Sequence, residues 1–305
     1  MNSRPYFLFG AALALALLLP TGCSTVAEYS TLAGQAAGVI TSDQAQSINR
    51  TAAAVEKTFK DITPEQEYYI GRSVAATVMA TYRPYDQSAL NQYLTVLGQT
   101  LAQYSDRPET FGGYHFLAIE TEEVNAFAAP GGLILVSRGL LRCCRSEDAL
   151  AAVLAHEIGH VQNRHGLRAI KKGRLNSALT TLAVEAGKNL GGADLAEATK
   201  AFEGSITDIS SALMNSGYAR SFENDADAVA VQILTRAGYS PSALIVMLRE
   251  MKSRIGTDTT RGFGKTHPSP DSRIQHVSAL IGSQPAVAVP AARQQRFNDV
   301  IARLR

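Results

Sequence analysis

The segment Ser146–His165, SEDALAAVLAHEIGHVQNRH, carries three of the six histidines of the chain among several carboxylates. His156, Glu157 and His160 form the pattern H-E-x-x-H. Positions four apart share one face of an α-helix, so both imidazoles can reach one ion from the same side. Two neutral imidazoles and a carboxylate suit zinc, which leaves one position for water. The pKa of that water falls to roughly 7, so Glu157 can act as its general base.

The alternative is a pair of histidines satisfied within the core without any metal. Apolar residues on both sides of the motif indicate a core-facing helix, where an unpaired His or Glu would cost several kcal/mol; they are Ala151, Val153, Leu154, Ile158 and Val161. A buried carboxylate between two histidines therefore favours a bound cation.

A second segment, SFENDADAVA, offers the third ligand. It places Glu223 and Asp227 one turn apart on an otherwise apolar helical face. Glu223 could complete a His, His, Glu set, and Asp227 could accept a ring N–H from a ligand histidine and fix its tautomer. The alternative for both is charge compensation at a helix N-terminus, where acidic residues are favoured.

Composition excludes some classes of function. Of 305 residues, 46% are hydrophobic and 18% charged, as in an ordinary globular protein, and a net charge of +2 indicates no nucleic-acid partner. Cys143 and Cys144 are neighbours, which rarely bridge each other, so we expect no disulfide framework.

The N-terminus predicts export. Residues 1–22 combine Arg4 with a short apolar run and resemble a bacterial lipoprotein signal, which makes Cys23 the acylated first residue of the mature protein. Ser24 would then direct a Gram-negative lipoprotein to the outer membrane. The alternative is a plain secretory signal and a periplasmic or secreted protein. No later apolar stretch is long enough for a transmembrane helix.

The elements that must position the chemistry are mainly helices. Residues 23–60 read as a tether, residues 61–282 as the folded domain, and residues 283–305 as a linker and short helix. The domain opens with helices, of which the first carries a Thr63/Gln66 capping box. Two strands, YHFLAIET and LILVSRG, follow, and all later segments are helical, including one helix from Ser146 to about Lys171. This pattern predicts an α+β fold with one small sheet beside the site.

Four ordered motifs resemble one family: NAFAAPGG, LAHEIGHVQNRH, FENDAD and THPSPDSRI. The chain is similar, from about Ile62 to Gly282, to gluzincin metallopeptidases related to HtpX and the CAAX prenyl endopeptidase, and within them to the periplasmic BepA-like branch. The resemblance implies a zincin-type fold, one Zn²⁺ on His156, His160 and Glu223, and Glu157 as base. Family convention makes the residue at Asp227 a proton donor; we favour its orienting role.

In this resemblance NAFAAPGG lies along the cleft as a sheet edge. Such an edge would bind an extended substrate backbone by β-augmentation, with Asn125 supporting the strand and Gly131 and Gly132 allowing close backbone approach. The alternative is an ordinary hairpin turn.

The resemblance also brings His267 and Arg273 to the zinc, where they would stabilise the oxyanion; in some relatives the histidine instead fills the open zinc position and keeps the enzyme latent. We expect His267 to gate activity. His165 lies outside the helical face that carries the two ligand histidines, so we expect it to be structural. His115 and His276 belong to no group of candidate functional residues.

The segment 166–216 allows three interpretations: a lid over the cleft, a helical hairpin that docks on a membrane or partner, or an extra layer of the core. No tetratricopeptide-type repeat follows Gly282.

The sequence thus predicts a zinc endopeptidase, tethered at Cys23 to the periplasmic face of the outer membrane, that hydrolyses unfolded or misassembled envelope proteins. Two rivals remain: an envelope chaperone or assembly factor with secondary proteolysis, and a non-catalytic domain stabilised by zinc.

Overall fold

A computed structural model describes residues 62–170, 204, 206–255, 266–283, 287–301 and 304 of the chain. The predicted signal, the anchor at Cys23 and the tether lie outside these residues, as does most of the segment 166–216.

Helices surround a small sheet. The elements, in chain order, are α1 (Pro64–Thr81), α2 (Ser88–Ala102), β1 (His115–Ile119), β2 (Ala126–Ala129), β3 (Leu133–Ser137), α3 (Arg138–Cys143), α4 (Glu147–Gln162), α5 (His165–Arg168), α6 (Arg220–Arg236), α7 (Ser242–Ile255), α8 (Pro270–Ile281) and α9 (Ala291–Ile301). A π-helical turn, Ala212–Ser216, precedes α6. The α+β, mainly helical class is confirmed.

The sheet in the described residues has the strand order β1-β3-β2. β1 runs parallel to β3, with His115 opposite Leu133, and β2 runs antiparallel to β3, with Ala126 opposite Val136. A 3₁₀ turn, Pro130–Gly132, joins β2 to β3. The segment NAFAAPGG therefore forms both a hairpin turn and the edge strand of the sheet, so the two interpretations of this motif are compatible.

Helix α4 is the centre of the core. Every residue from Glu147 to Val161 is buried, and α4 packs against α2, α6, α7 and β2. Small residues let the neighbouring backbones come close: a Cβ on Gly159 would lie 2.9 Å from the carbonyl oxygen of Ala226 on α6. The H-E-x-x-H motif thus lies inside the protein, on the element that contacts most of the others.

The predicted helix from Ser146 to Lys171 is wrong at its C-terminal end. Ser146 caps α4 as expected, but α4 ends at Gln162, and Arg164 has a left-handed backbone with φ of 53°. The cause is a tertiary contact, since Arg164 Nε donates to Glu67 at 3.1 Å and its Nη2 donates to the carbonyl oxygen of Ile62 at 2.9 Å. This contact turns the chain into the short helix α5.

Glu67 joins three parts of the fold. Its side chain is buried and accepts two hydrogen bonds of 2.9 Å from Arg107, besides the one from Arg164. The backbone N–H of Gly131, in the turn after β2, also donates to it at 3.3 Å. Arg107 donates in addition to the carbonyl oxygen of Val161 near the end of α4. One carboxylate therefore holds α1, the hairpin turn and the end of α4 together.

The N-terminal cap of α1 is the one that the sequence predicts. Thr63 accepts from the backbone of Gln66, and the Gln66 side chain accepts from the backbone of Thr63, which is the predicted capping box. Within the part of the chain that the structure describes, no helix has both the length and the apolar character that crossing a membrane requires.

Candidate metal centre

Two packed helices bring three of the predicted metal ligands together. His156 Nε2 and His160 Nε2, on α4, lie 3.1 Å apart. Glu223, in the first turn of α6, lies with one carboxylate oxygen 3.6 Å from His156 Nε2 and the other 3.4 Å from His160 Nε2. All three side chains are buried. The close packing of α4 on α6 brings together residues that are more than sixty positions apart in the chain.

His267 joins these three groups from the loop before α8. Its Nε2 lies 3.8 Å from a carboxylate oxygen of Glu223, and its ring centroid lies 6.1 Å from that of His156. One ligand atom from each of His156, His160, Glu223 and His267 falls within 4.8 Å of all the others. The group thus offers four potential ligands rather than three.

The donor set fits a tetrahedral ion. With metal–ligand bonds of about 2.0–2.1 Å, ligand atoms around a tetrahedral zinc lie about 3.3 Å apart, close to the separations around Glu223. Both carboxylate oxygens of Glu223 are buried and accept no hydrogen bond from the described residues. The contacts of these oxygens with His156, His160 and Arg273 are all 3.4 Å or longer, so the oxygen pair leaves room for a closer cation as a partner.

Both histidines of the motif are oriented by a second residue. Asp227, one turn after Glu223, lies with its Oδ1 3.0 Å from His156 Nδ1, so it accepts that N–H and leaves Nε2 facing the centre. His165 lies with its Nδ1 2.9 Å from His160 Nδ1. When His160 Nδ1–H donates to His165, the Nε2 of His160 likewise faces the centre. His165 is not one of the four potential ligands but supports one of them.

Arg273 is buried between two acidic residues of α6, Glu223 and Asp227. It donates to both oxygens of Asp227, from Nε at 2.9 Å and from Nη2 at 2.6 Å, and its Nη1 lies 3.4 Å from Glu223. Nη2 also lies 3.1 Å from His156 Nδ1. The guanidinium compensates both carboxylates, and through Asp227 it fixes the orientation of His156.

Charge and burial set the protonation of the acidic groups. Burial is the main reason that the pKa of Glu157 is raised to about 7, and the neighbouring Glu223 adds to this. Burial would also raise the pKa of Glu223, but His267, His156 and Arg273 outweigh it and bring that pKa down to about 2. Glu223 is therefore ionised near neutral pH, whereas Glu157 is poised to exchange a proton.

The edge strand is less accessible than expected. All four residues of β2 are buried, and the π-helical turn Ala212–Ser216 packs against the strand. Asn125, just before β2, accepts from the backbone N–H of Ala126 at 3.0 Å, and Thr266 Oγ1 lies 3.5 Å from the same side-chain oxygen. Asn125 thus supports the start of β2, and Thr266, next to His267, lies against it.

The two glycines after β2 contact α1 and a neighbouring loop. Gly131 and Gly132 have φ values of 76° and 98°, and a Cβ on Gly131 would lie 2.9 Å from the Cα of Tyr68. The close approach that was expected of these glycines is therefore an approach between the hairpin turn and other parts of the fold.

Sequence reasoning missed an aromatic residue beside the centre. The ring of Tyr218 stacks on that of His160, with centroids 4.8 Å apart, and that of Phe222 stacks on His165 at 4.5 Å. The only signal was a pair of aromatic residues four apart just before Glu223. Two further histidines lie outside the centre: His115 contacts the carbonyl oxygen of Gly112, and His276 that of Asn224.

A helix that carries H-E-x-x-H inside an α+β domain, with an acidic ligand from a second helix, defines the class of H-E-x-x-H metallopeptidases. The chain belongs to peptidase family M48, whose sequence model matches residues 88–281. The predicted family is therefore confirmed.

Curated relatives agree with this assignment. The chain is 30% identical to the beta-barrel assembly-enhancing protease of Escherichia coli O157:H7 over 61% of its own length and 37% of that protein. It is 29% identical to the protein of the same name from Yersinia pestis, over 68% of its own length and 41% of that protein. It is also 32% identical to the mitochondrial metalloendopeptidase OMA1 of Schizosaccharomyces pombe, over 50% of its own length and 42% of that protein. The chain spans about two fifths of the length of these relatives.

Proposed function

We propose that the protein is a zinc-dependent endopeptidase that hydrolyses unfolded or misassembled envelope proteins. The observation that carries the proposal is the buried cluster of His156, His160 and Glu223 with Glu157 beside it. Two imidazoles and one carboxylate are a donor set typical of catalytic zinc. The similarity in sequence to proteins named beta-barrel assembly-enhancing proteases supports an envelope substrate.

Zinc, when bound, lowers the pKa of a water ligand to roughly 7 and polarises the scissile carbonyl. The residues of the chain supply the proton transfers. Glu157 takes a proton from the attacking water and returns it to the leaving amine, and burial, which raises its pKa to about 7 without metal, makes it able to hold that proton. A bound dication would shift this pKa downward, since it favours the carboxylate.

The other site residues hold this arrangement. Asp227 and His165 keep the two histidines in the tautomer that binds metal, and Arg273 compensates Asp227 and Glu223. Because both guanidinium contacts to Asp227 are short, we assign Arg273 a positioning role. Arg273 could stabilise the oxyanion only after these contacts had rearranged.

His267 acts as a latch in this proposal. Its position among the four potential ligands supports binding at the metal position that a water would otherwise take. The burial of β2 supports the same conclusion, since an extended substrate could pair with this strand only after Thr266 and the turn Ala212–Ser216 have moved. Acylation of Cys23 and a location on the periplasmic face of the outer membrane belong to the proposal as well.

The test uses the purified mature protein on unfolded casein, with and without a zinc chelator. We expect the wild-type protein to cleave casein, the chelator to abolish this cleavage and added zinc to restore it. The Glu157→Gln variant should bind zinc but should not cleave casein. Casein that stays intact with zinc-loaded wild-type protein and with the His267→Ala variant would contradict the proposal.

The covered edge strand also supports a second candidate, an envelope assembly factor in which proteolysis is secondary. Complementation separates the two. If the Glu157→Gln variant restores envelope integrity in a deletion strain as well as wild type does, the assembly factor is favoured; loss of complementation favours the protease.

A further inference from the structure

Tyr218 lies beside the candidate metal centre, on the segment between the π-helical turn and α6. Its ring stacks on that of His160, with centroids 4.8 Å apart and an interplanar angle of 29°. Together with Glu157 and His267 it lines the space next to His160. A tyrosine in this position can use its hydroxyl to contact a group that binds at the centre.

The hydroxyl of Tyr218 is buried and has no hydrogen-bond partner among the described residues. Buried tyrosine hydroxyls usually have a partner, because an unpaired buried donor costs free energy. The stacking on His160 does not explain the hydroxyl, since a phenylalanine ring would make the same contact. The unpaired donor therefore points to an acceptor that comes from outside the protein.

Glycines on either side of Tyr218 fix its position. Gly217 has a φ of 70°, and a Cβ there would overlap the carbonyl oxygen of Thr266. A Cβ on Gly166 of α5 would lie 3.4 Å from the Tyr218 hydroxyl oxygen and 2.9 Å from Cγ of Pro130, the residue after β2. The hydroxyl thus lies close to the end of the edge strand.

The hydroxyl of Tyr218 also lies within the field of the acidic groups of the centre. Burial raises the pKa of Tyr218, and the carboxylates of Glu157 and Glu223 raise it further. The phenol therefore keeps its proton near neutral pH and can donate a hydrogen bond to an acceptor at the centre.

Other donors at the centre are engaged. Arg273 donates from Nε and Nη2 to Asp227. His267 contacts Thr266 Oγ1 through Nδ1 at 2.9 Å and is also one of the four potential ligands. Peptide hydrolysis places negative charge on the carbonyl oxygen, and enzymes stabilise that charge with donors that are already in place. Tyr218 supplies such a donor, and no described residue accepts from it.

We propose that the hydroxyl of Tyr218 donates a hydrogen bond to the carbonyl oxygen of the scissile peptide bond as this oxygen becomes negatively charged. No proton is transferred in this contact, so Glu157 remains the base. Tyr218 is then a further catalytic residue. This inference rests on the proposed peptidase function.

The first experiment compares Tyr218→Phe with wild type as zinc-loaded, full mature chains, each also in combination with His267→Ala. Tyr218→Phe keeps the stacking ring and removes only the donor. We expect kcat on a fluorogenic casein-derived peptide to fall at least about 100-fold, the usual effect of removing one oxyanion donor, with KM nearly unchanged. Tyr69→Phe is the matched control, since Tyr69 is exposed on α1 and should affect neither constant.

The second experiment measures binding rather than activity. A phosphinic peptide carries a tetrahedral, negatively charged group in place of the scissile bond, so its Kd should rise in Tyr218→Phe by a factor similar to the fall in kcat. The intact peptide, bound to Glu157→Gln with and without Tyr218→Phe, should show equal Kd values. Zinc affinity, measured by competition with a chromophoric chelator, should not change.

A third measurement detects a merely structural role of Tyr218. Removal of an unpaired buried hydroxyl in Tyr218→Phe should leave the urea midpoint of unfolding equal to that of wild type or raise it. Tyr218→Leu also removes the ring that stacks on His160, so its midpoint should be lower.

The outcomes separate the two proposals. An unchanged kcat or an unchanged Kd for the phosphinic peptide in folded Tyr218→Phe overturns the role of Tyr218 and leaves the peptidase intact. Weaker zinc binding or a lower urea midpoint in Tyr218→Phe overturns it as well, because the hydroxyl would then support the protein rather than the substrate. The absence of any zinc-dependent cleavage overturns the peptidase itself, and the inference on Tyr218 with it.

Discussion

The carboxylate of Asp227 contacts both His156 and Arg273. Its Oδ1 lies 3.0 Å from His156 Nδ1, and both of its oxygens accept hydrogen bonds from Arg273. Burial would raise the pKa of Asp227, but Arg273 and His156 outweigh it and hold that pKa well below its usual range. A carboxylate held in its charged form by such partners is suited to orienting a histidine and unsuited to donating a proton.

Asp227→Asn should therefore weaken zinc binding by about 10- to 100-fold, the usual effect of losing an outer carboxylate partner of a ligand histidine. The zinc affinity is measured by competition with a chromophoric chelator. Asp299→Asn, exposed on α9, provides the control. An unchanged affinity in Asp227→Asn would show that His156 needs no acceptor at Nδ1.

His267→Ala should raise basal proteolysis several-fold, because the variant removes the fourth potential ligand and frees that metal position for water. Initial rates on unfolded casein measure the effect. His115→Ala serves as a control, since His115 is exposed and bonds only a nearby backbone carbonyl. Equal or lower activity in His267→Ala would contradict the latch.

At the scale of elements, the cluster around Glu67 decides how α1, the hairpin turn and α4 meet. Glu67 is buried and accepts from Arg107, Arg164 and the backbone of Gly131. Two arginines thus surround a single carboxylate. Removing the carboxylate leaves both without their shared acceptor.

Glu67→Ala should lower the free energy of unfolding by about 3 kcal/mol, at the low end for a broken buried ion pair because both arginines are partly exposed. Urea denaturation measures the loss. Glu65→Ala, exposed in the same turn of α1, is the control and should change stability by less than about 0.5 kcal/mol. Equal stability of the two variants would mean that the cluster contributes nothing net.

The same cluster shows which helix end could be predicted from the sequence and which could not. The start of α1 was predictable because a capping box involves residues three apart. The end of α4 was not, since the left-handed Arg164 depends on a carboxylate 97 residues earlier. Local patterns report caps and amphipathic faces, but they contain no signal for a single long-range ion pair.

The candidate metal centre likewise combines features that local patterns predict with contacts that they do not predict. That His156 and His160 share one face was predictable from helical spacing, and Glu223 was a candidate neighbour because it is an acidic residue on an apolar face. The stacking of Tyr218 on His160 and the contact of His165 with His160 were not. The stacking depends on the approach of the segment before α6 to α4, and the contact of the two histidines depends on the turn at Arg164 that separates α4 from α5.

At the scale of the whole molecule, the last helix is part of the peptidase fold. Phe297 is fully buried in the main core, and Arg296 donates two hydrogen bonds to Glu147 in the first turn of α4. Tyr93 and Tyr239 donate to the same carboxylate, each at 2.8 Å. The predicted division at residue 282 therefore separates a linker and helix that, in the described residues, pack on the domain itself.

Phe297→Ala should lower the free energy of unfolding by about 3–5 kcal/mol, the usual cost of emptying a buried phenylalanine site. Thermal and urea denaturation of the mature protein measure it. Asn298→Ala, exposed on the same helix, should leave stability within about 0.5 kcal/mol of wild type. A small effect of Phe297→Ala would indicate that α9 is dispensable for the domain.

The two contacts to α4 lie at its opposite ends. Glu67 of α1 supports the C-terminal end through Arg107 and Arg164, and Arg296 of α9 supports the N-terminal end. Both helices lie outside the stretch 88–281 that matches the family. A recombinant fragment trimmed to that stretch would keep every group of the metal centre, yet its central helix would lose Glu67 at one end and Arg296 at the other. Expression boundaries for crystallisation or inhibitor screening should therefore include residues 62–304.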